Sequence, residues 1–342
     1  MSQARNVYKA QRKEINPEYT NMSNLVTDPL VSICIITYNS ADTVVETLNS
    51  IYNQTYKNIE LIIGDDSSSD NTVDICNNWV ERNAYRFESC QIITSDINSG
   101  VPTNCNRTLS YVSGKWIKVL AGDDLLLPNA IANLIEFVKS DAKIEFVYTS
   151  YYVFKKEDSR IKVLGIKPPK HFIHRMADIT NNNQLITYIK SKLNITVTLF
   201  YSTELYNRSG GFNEQYRLFE DTPWIVKVLS KGEVLYYCDI KTVLYRTGHP
   251  SITHDYQNCK DKYFIKEDFY SCVQQFRRDC IYPIMPKYDL IFWIDEYSNR
   301  FLMWLIINIL QNKRNPFTQS LYYLFKILNP YYLVKFICSK LW

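Results

Sequence analysis

Along the first half of the chain, apolar positions fall into blocks that switch between two periods. Val31–Thr37 (VSICIIT) and Ile59–Ile63 (IELII) are short, nearly continuous apolar runs, the pattern of parallel strands buried on both faces. Between them Ala41, Val44, Leu48 and Ile51 recur at helical spacing, with Ser40 placed to cap the helix. This is a βαβ unit, whose crossover is right-handed. Thr72, Val73, Cys76 and Val80 predict a second helix, started by Asp70. Gln91–Thr94 reads as a third strand, Asn98-Ser99-Gly100 as a turn, and Pro102 as the opening of a third helix. Trp116–Leu120 is a fourth strand, Pro128–Val138 a helix and Ile144–Val153 a fifth strand. The alternation predicts an α/β fold with an open, mostly parallel sheet covered by helices on both faces. Ligands of such sheets sit beyond the carboxyl ends of the strands.

The pattern is less regular from about 155 to 250, and from 288 onward it is helical and aromatic. We divide the chain into a polar extension (1–28), an α/β domain (29–255) and a helical C-terminal region (256–342). The apolar stretch Phe301–Leu310, broken only by Asn308, is about half of what a membrane span needs. The segment from Leu321 is interrupted by Pro330 and by lysines, which suits the membrane interface rather than a span. No acid follows Glu296, whereas Arg300, Lys313, Arg314, Lys326, Lys335 and Lys340 do. A basic tail on a slightly acidic body predicts peripheral attachment to the anionic inner face of a cell membrane. Net charge is only +4, so nucleic acid is not an expected partner. Nine cysteines occur without a CxxC pair, and the N-terminus has no charged-then-apolar leader, so a reducing cytoplasm is expected.

Chemistry concentrates in acidic pairs. Asp65-Asp66 follows the second strand after one glycine, and Asp123-Asp124 follows the fourth after Ala121-Gly122. Adjacent carboxylates repel unless a cation or hydrogen-bond donors compensate, and the glycines would let the backbone turn and a ligand approach. Hard oxygen ligands suit Mn²⁺ or Mg²⁺, which bridge to phosphates. Asp123-Asp124 is therefore a candidate for holding a diphosphate through a metal, and Asp65-Asp66 for accepting hydrogen bonds from a base or ribose.

The blocks PLVSICIITYN (29–39), SIYNQTYKNIELIIGDDSSSDNT (50–72) and SGKWIKVLAGDDLLLP (113–128) resemble family 2 glycosyltransferases of the GT-A fold, over roughly residues 29–250. That resemblance implies a uracil contact at Asp66, a base pocket at Ile36, Thr37 and Tyr38, and a metal–diphosphate site at Asp123 and Asp124, with Asp124 the direct ligand. It implies a catalytic base at Asp221 of Glu220-Asp221 (FEDTPW), preceded by Gly210-Gly211-Phe212, and a donor-side position at Asn106. His249, in Tyr245–Ser251, falls in the family's late loop as a further metal or phosphate contact. His171 and His174 have no such placement. Two departures stand out: Ala121 replaces an acid that is frequent before the metal pair, and Cys105 replaces an arginine before Asn106, with Arg107 following instead.

One base and one metal suit inverting transfer of a single sugar. The "AGDD" and "EDTPW" segments are similar to those of bacterial galactosyl- and glucosyltransferases of O-antigen or capsule assembly. A UDP-hexose donor and a lipid-diphosphate-linked N-acetylhexosamine acceptor follow from that resemblance. The alternatives are a different acceptor, or a non-catalytic nucleotide-sugar or lipid-binding subunit, which would not need Asp221. A nucleotidyltransferase or phosphate-loop NTPase would carry a glycine-rich loop where Tyr38-Asn39-Ser40 stands. A processive synthase would carry Gln-x-x-Arg-Trp, and Gln275–Asp279 lacks the tryptophan.

Overall fold

The computed structural model describes residues 28–157, 160–168, 173, 176, 181–191, 195–248, 266–313 and 315–328, with the side chains of 181–183, 326 and 328 excepted. The chain divides into two compact units, Met1–Thr247 and Gly248–Trp342. The expected polar extension, apart from Asp28, and the expected 255/256 boundary lie outside the described residues, as do His171, His174 and His249.

In the first unit β1 (Val31–Thr37), β2 (Ile59–Asp65) and β4 (Trp116–Ala121) are parallel, with β1 in the middle and β3 (Ser89–Thr94) on the far side of β2. β1 and β2 are buried almost throughout, which is why they read as apolar runs. β3 ends this side of the sheet and is only part-buried. Helices α1 (Val44–Tyr52), α2 (Thr72–Asn83), α3 (Val101–Leu109) and α4 (Ala130–Lys139) follow β1, β2, β3 and β5. Val44, Leu48 and Ile51 of α1 and Ile131, Leu134 and Ile135 of α4 enter one core with the strands, each buried aliphatic contributing about 1.5–3 kcal/mol. Beyond β4 the sheet turns mixed. Antiparallel β8 (Phe200–Ser202) joins β4 to β6 (Phe146–Glu157), β9 (Tyr236–Arg246) lies parallel to β6, and the two-residue β5 (Leu125–Leu126) returns antiparallel along β9. β7 (Arg160–Lys167) pairs antiparallel with the far half of β6. Among the described residues the unit also contains the α-helices α5 (Asn181–Ser191), α6 (Thr203–Ser209) and α7 (Asp221–Ser230).

Several details differ from expectation. The Ser40 carbonyl, not its hydroxyl, accepts the first amides of α1. Pro128 precedes α4 by two residues, its carbonyl taken by the Thr55 amide. The glycines before the acidic pairs serve close packing: a Cβ on Gly64 would sit 1.7 Å from Thr108 Oγ1 of α3, and one on Gly122 would sit 2.9 Å from Thr37 Cγ2. At the opposite edge, buried Glu60 accepts both the Ser113 amide (2.7 Å) and the Gly114 amide (2.9 Å), tying the entry of β4 to β2.

The second unit contains α8 (Glu267–Phe276), which continues into a π turn, Arg277–Ile281; α9 (Leu290–Trp304), which continues into another, Leu305–Ile309; and α10 (Pro316–Leu328). Leu302 and Ile306 form its small core with Tyr270, Tyr322 and Phe325 against them. Among the described residues no helix is long and apolar enough to cross a membrane.

Candidate active site

Register brings the site together. Ile36 pairs with Gly64 on one side and Ala121 on the other, and Thr37 pairs with Asp65, so the carboxyl ends of β1, β2 and β4 are level. The Thr37 hydroxyl donates to Asp65 Oδ2 at 2.7 Å, and the Ser68 amide donates to Oδ1 at 2.8 Å. Asn39 and Ser67 adopt left-handed backbone, φ +50° and +66°, a region asparagine tolerates and serine enters only where its surroundings hold it. Their loops are laced together: the Asn39 amide donates to Ser68 Oγ and Asn39 Oδ1 accepts the Ser69 amide, both at 2.8 Å. Ile36 is half-buried and Thr37 buried, while the Tyr38 ring stands half exposed at this edge.

Asp66 is rich in donors. Oδ1 accepts the Ser99 amide (3.0 Å), the Ser99 hydroxyl (2.6 Å) and Arg107 (3.2 Å); Oδ2 accepts the Gly100 amide (2.8 Å). Burial alone would raise this carboxyl, but the donors outweigh it and hold it below the usual aspartate range. Asp66 thus secures the turn before α3, and Oδ2 keeps capacity for one more donor.

Asp124 is poor in donors. Asp124 is buried and Oδ1 accepts the Arg246 amide at 2.8 Å. Burial, and then the charge of Asp123, push it well above the usual range, against that amide, Lys118 and the Arg246 guanidinium. Arg246 also donates to the Asp123 carbonyl (2.7 Å) and to Glu46 (2.9 Å), and its guanidinium lies 4.8 Å above the Phe154 ring. Among the described residues no three His, Cys, Asp or Glu side chains converge on a metal position. The pair fits a cation that takes two carboxylates from the protein and its other ligands from water and phosphate.

Glu220 caps α7 and Asp221 is its first residue. Burial, then the Asp221 charge, push Glu220 up to about 8. Burial also raises Asp221, opposed by the Thr196 hydroxyl and the Thr222 amide, the latter 2.5 Å from Oδ1. The segments on either side of the pair are tied to the rest of the unit. Arg217 donates to the Asn98 carbonyl at 2.9 Å and accepts the Val101 amide at 3.0 Å, joining this segment to the turn held by Asp66. From β4, buried Lys118 donates to the carbonyls of Val197 (2.5 Å) and Leu199 (3.2 Å), fixing the turn that carries Thr196.

Asn106 has both amide hydrogens on Phe212 O and Glu214 Oε1, and its carbonyl oxygen accepts the Tyr206 hydroxyl and the Phe212 amide. Its hydrogen-bonding capacity is spent on the 206–214 segment, leaving none for a donor sugar. The expected late-loop contact at His249 lies outside the described residues. Lys118 and Thr196 were not anticipated, and Arg246 was expected only as part of the late-loop motif Tyr245–Ser251. For Lys118 a signal existed: a lone cation in the buried strand WIKVLA.

The profile of Glycosyl transferase family 2 matches residues 32–208, half of the chain. The chain belongs to glycosyl transferase family 2. A relative in that family, UDP-Glc:alpha-D-GlcNAc-diphosphoundecaprenol beta-1,3-glucosyltransferase WfaP of Escherichia coli, is 32% identical over 228 residues, 66% of this chain and 80% of that protein. The Escherichia coli enzyme of the same description, WfgD, is 32% identical over 128 residues, 37% of this chain and 47% of that one. Among solved structures, S. aureus TarS 1–349 in complex with UDP-GlcNAc superposes with a TM-score of 0.57 at 18% identity, over 86% of this chain and 78% of that one. The likeness establishes the GT-A fold for this family 2 glycosyltransferase.

Proposed function

We propose that the protein is an inverting, metal-dependent hexosyltransferase. It moves one glucose or galactose from a UDP-sugar to an N-acetylhexosamine on a lipid diphosphate of the undecaprenyl type, in O-antigen or related surface-polysaccharide assembly at the inner face of the membrane. The observation that supports this reading is three acidic pairs with different electrostatics: Asp66 saturated with donors and Asp124 poor in them, just beyond the level carboxyl ends of β2 and β4, and Asp221 raised by burial, its segment joined through Arg217 to the turn that Asp66 holds. The length shared with WfaP supports the choice of donor and acceptor.

In this reading Tyr38, Ile36 and Thr37 flank the uracil and Asp66 Oδ2 meets it. Asp221 takes the proton of the acceptor hydroxyl as that oxygen bonds to the anomeric carbon. The bond from that carbon to the diphosphate oxygen breaks on the opposite face, and UDP leaves with the electron pair. Asp123 and Asp124 would hold Mn²⁺ or Mg²⁺, which supplies positive charge to the departing diphosphate when bound. Arg246 keeps the two aspartates in place, and Thr196 orients Asp221.

The test is transfer from UDP-glucose, UDP-galactose and their N-acetyl analogues to a synthetic GlcNAc-diphosphate-lipid, with the anomeric configuration of the product read by NMR. A β-linked hexosyl product is expected from the α-linked donor. Absence of transfer from every UDP-hexose, or retention of configuration, overturns the reading.

A further inference from the structure

On α9 the normal arrangement of a surface helix is reversed. Asp295 and Glu296 are 2% and 3% exposed, whereas Leu290, Ile294, Tyr297, Phe301 and Trp304 are 45–68% exposed. The spacing of these five puts them on one stripe of the helix. The carboxylates are turned inward and satisfied there. Glu296 accepts Arg277 Nε at 2.9 Å and the Tyr282 hydroxyl at 2.5 Å, and Asp295 accepts the Asn299 amide at 2.7 Å. A buried ion pair contributes little net stability compared with an apolar core. The sequence therefore places acids inside and aromatics outside on the same helix, against what a water-facing surface favours. A contiguous apolar stripe left in water promotes aggregation and marks an interaction surface.

The charge around the stripe selects its partner. Lys287, Arg300 and Lys313 are exposed near its start, middle and far end. The two acids of α9 itself are buried, and no acid follows Glu296. A second copy docked by symmetry would set cations against cations with no α9 acid free to pair. Exposed cations beside interleaved Tyr, Trp, Phe, Ile and Leu match a headgroup region, where aromatic rings sit at the boundary and lysines and arginines meet lipid phosphates.

We propose that the Leu290–Trp304 face of α9 is a membrane-docking surface, lying in the headgroup region of an anionic bilayer. This rests on the proposed function only in that a lipid-linked acceptor gives such docking its purpose. It places the attachment on a helix that begins at Leu290, ahead of the basic tail that follows Glu296.

The test is sedimentation of the full-length protein with vesicles of phosphatidylethanolamine and phosphatidylglycerol, or of phosphatidylcholine alone. Wild type is expected to bind the anionic vesicles, more weakly in high salt. Ile294→Ser with Phe301→Ser is expected to weaken binding by about tenfold or more, and Arg300→Glu by less. Transfer to a water-soluble, short-chain acceptor should be unchanged in both, which reports an intact fold. Should the double variant misfold, brominated lipids in wild type decide the matter: they should quench fluorescence that Trp304→Phe removes. Undiminished vesicle binding by a folded double variant overturns the proposal, as does unquenched Trp304. Dimerisation in lipid-free solution that the double variant abolishes, without loss of vesicle binding, assigns the face to a second copy instead. Vesicle binding by wild type without transfer to any lipid acceptor would sink the proposed function and leave the docking face standing.

Discussion

Asp65-Asp66 and Asp123-Asp124 end two strands that flank the same central strand, at the same level of the sheet, yet their surroundings are opposite in kind. The first pair meets three hydroxyls, three amides and a guanidinium. Its negative charge is neutralised by the fold, and it fixes the loops around the Tyr38 edge. In the second pair, buried Asp124 accepts one amide and lies beside the Asp123 charge, and burial and that charge outweigh the help of Lys118 and Arg246. The lesson is that an acidic pair at a strand end has no fixed role: the supply of donors decides whether it holds the structure or waits for a cation. Glu220-Asp221 lies between the two: burial raises both acids and the Asp221 charge raises Glu220 further, while Asp221 keeps the Thr196 hydroxyl and the Thr222 amide as donors.

If that contrast is right, substitutions of the carboxylates raised by burial cost activity, and those in the donor-rich pair cost stability. The largest effect is expected at the base. Asp221→Asn should lower kcat by about 10²–10⁴-fold, with UDP affinity and melting temperature near wild type, as measured by steady-state kinetics and calorimetry. Normal turnover would place the base elsewhere. Asp124→Asn, or chelation by EDTA, should lower transfer by about 10²–10³-fold, the scale of several kcal/mol of charge stabilisation. The melting temperature of Asp124→Asn should hold or rise, since repulsion from Asp123 is gone. Full activity without any divalent ion breaks the comparison at its centre.

Asp66→Asn should instead show in unfolding experiments, with a loss of about 1.5–3 kcal/mol for charge-assisted hydrogen bonds. Because the folded carboxyl lies below its ordinary value near 3.8, its contribution is full above that value and is lost as pH falls through the folded one. The gap between wild type and Asp66→Asn should therefore close in acid, and a gap constant with pH contradicts this. Arg246→Lys keeps the charge but loses the fork that spans Asp123 and Glu46. A rise of a few-fold in the divalent-ion concentration for half-maximal activity is expected, with kcat nearly unchanged at saturation. The smallest effect concerns Glu220, raised from 4.5 to about 8. A raised acid costs folding stability as pH climbs from the unfolded to the folded value. Glu220→Gln should flatten the decline in melting temperature between those pH values, and an unaltered profile would show that the burial is relieved by other means.

Much of the first unit was legible because burial on both faces leaves a simple trace. β1, β2 and β4 could be read almost to the residue from VSICIIT, IELII and WIKVL, and with them the places where the acidic pairs fall. β5, β7 and β8 left no such trace: all three are antiparallel, β5 and β8 are only two and three residues long, and β7 and β8 fall in the irregular stretch. With them went Arg246, whose position against Asp124 depends on β5 pairing with β9. At Asn106 the motif position did not foretell the partners: packing directs its amide to Phe212, Glu214 and Tyr206.

The sequence by itself determined the alternation of strands and helices, the family, the three acidic pairs and the basic, aromatic C-terminal region, because these rest on periodicity, composition and local spacing. Only the tertiary structure decided which carboxylates are satisfied, that Lys118 and Thr196 stand behind Asp221, and that α9 turns its acids inward and its aromatics out. Hydrogen-bond supply and burial depend on residues dozens to hundreds of positions apart, and no local pattern encodes which of them will meet.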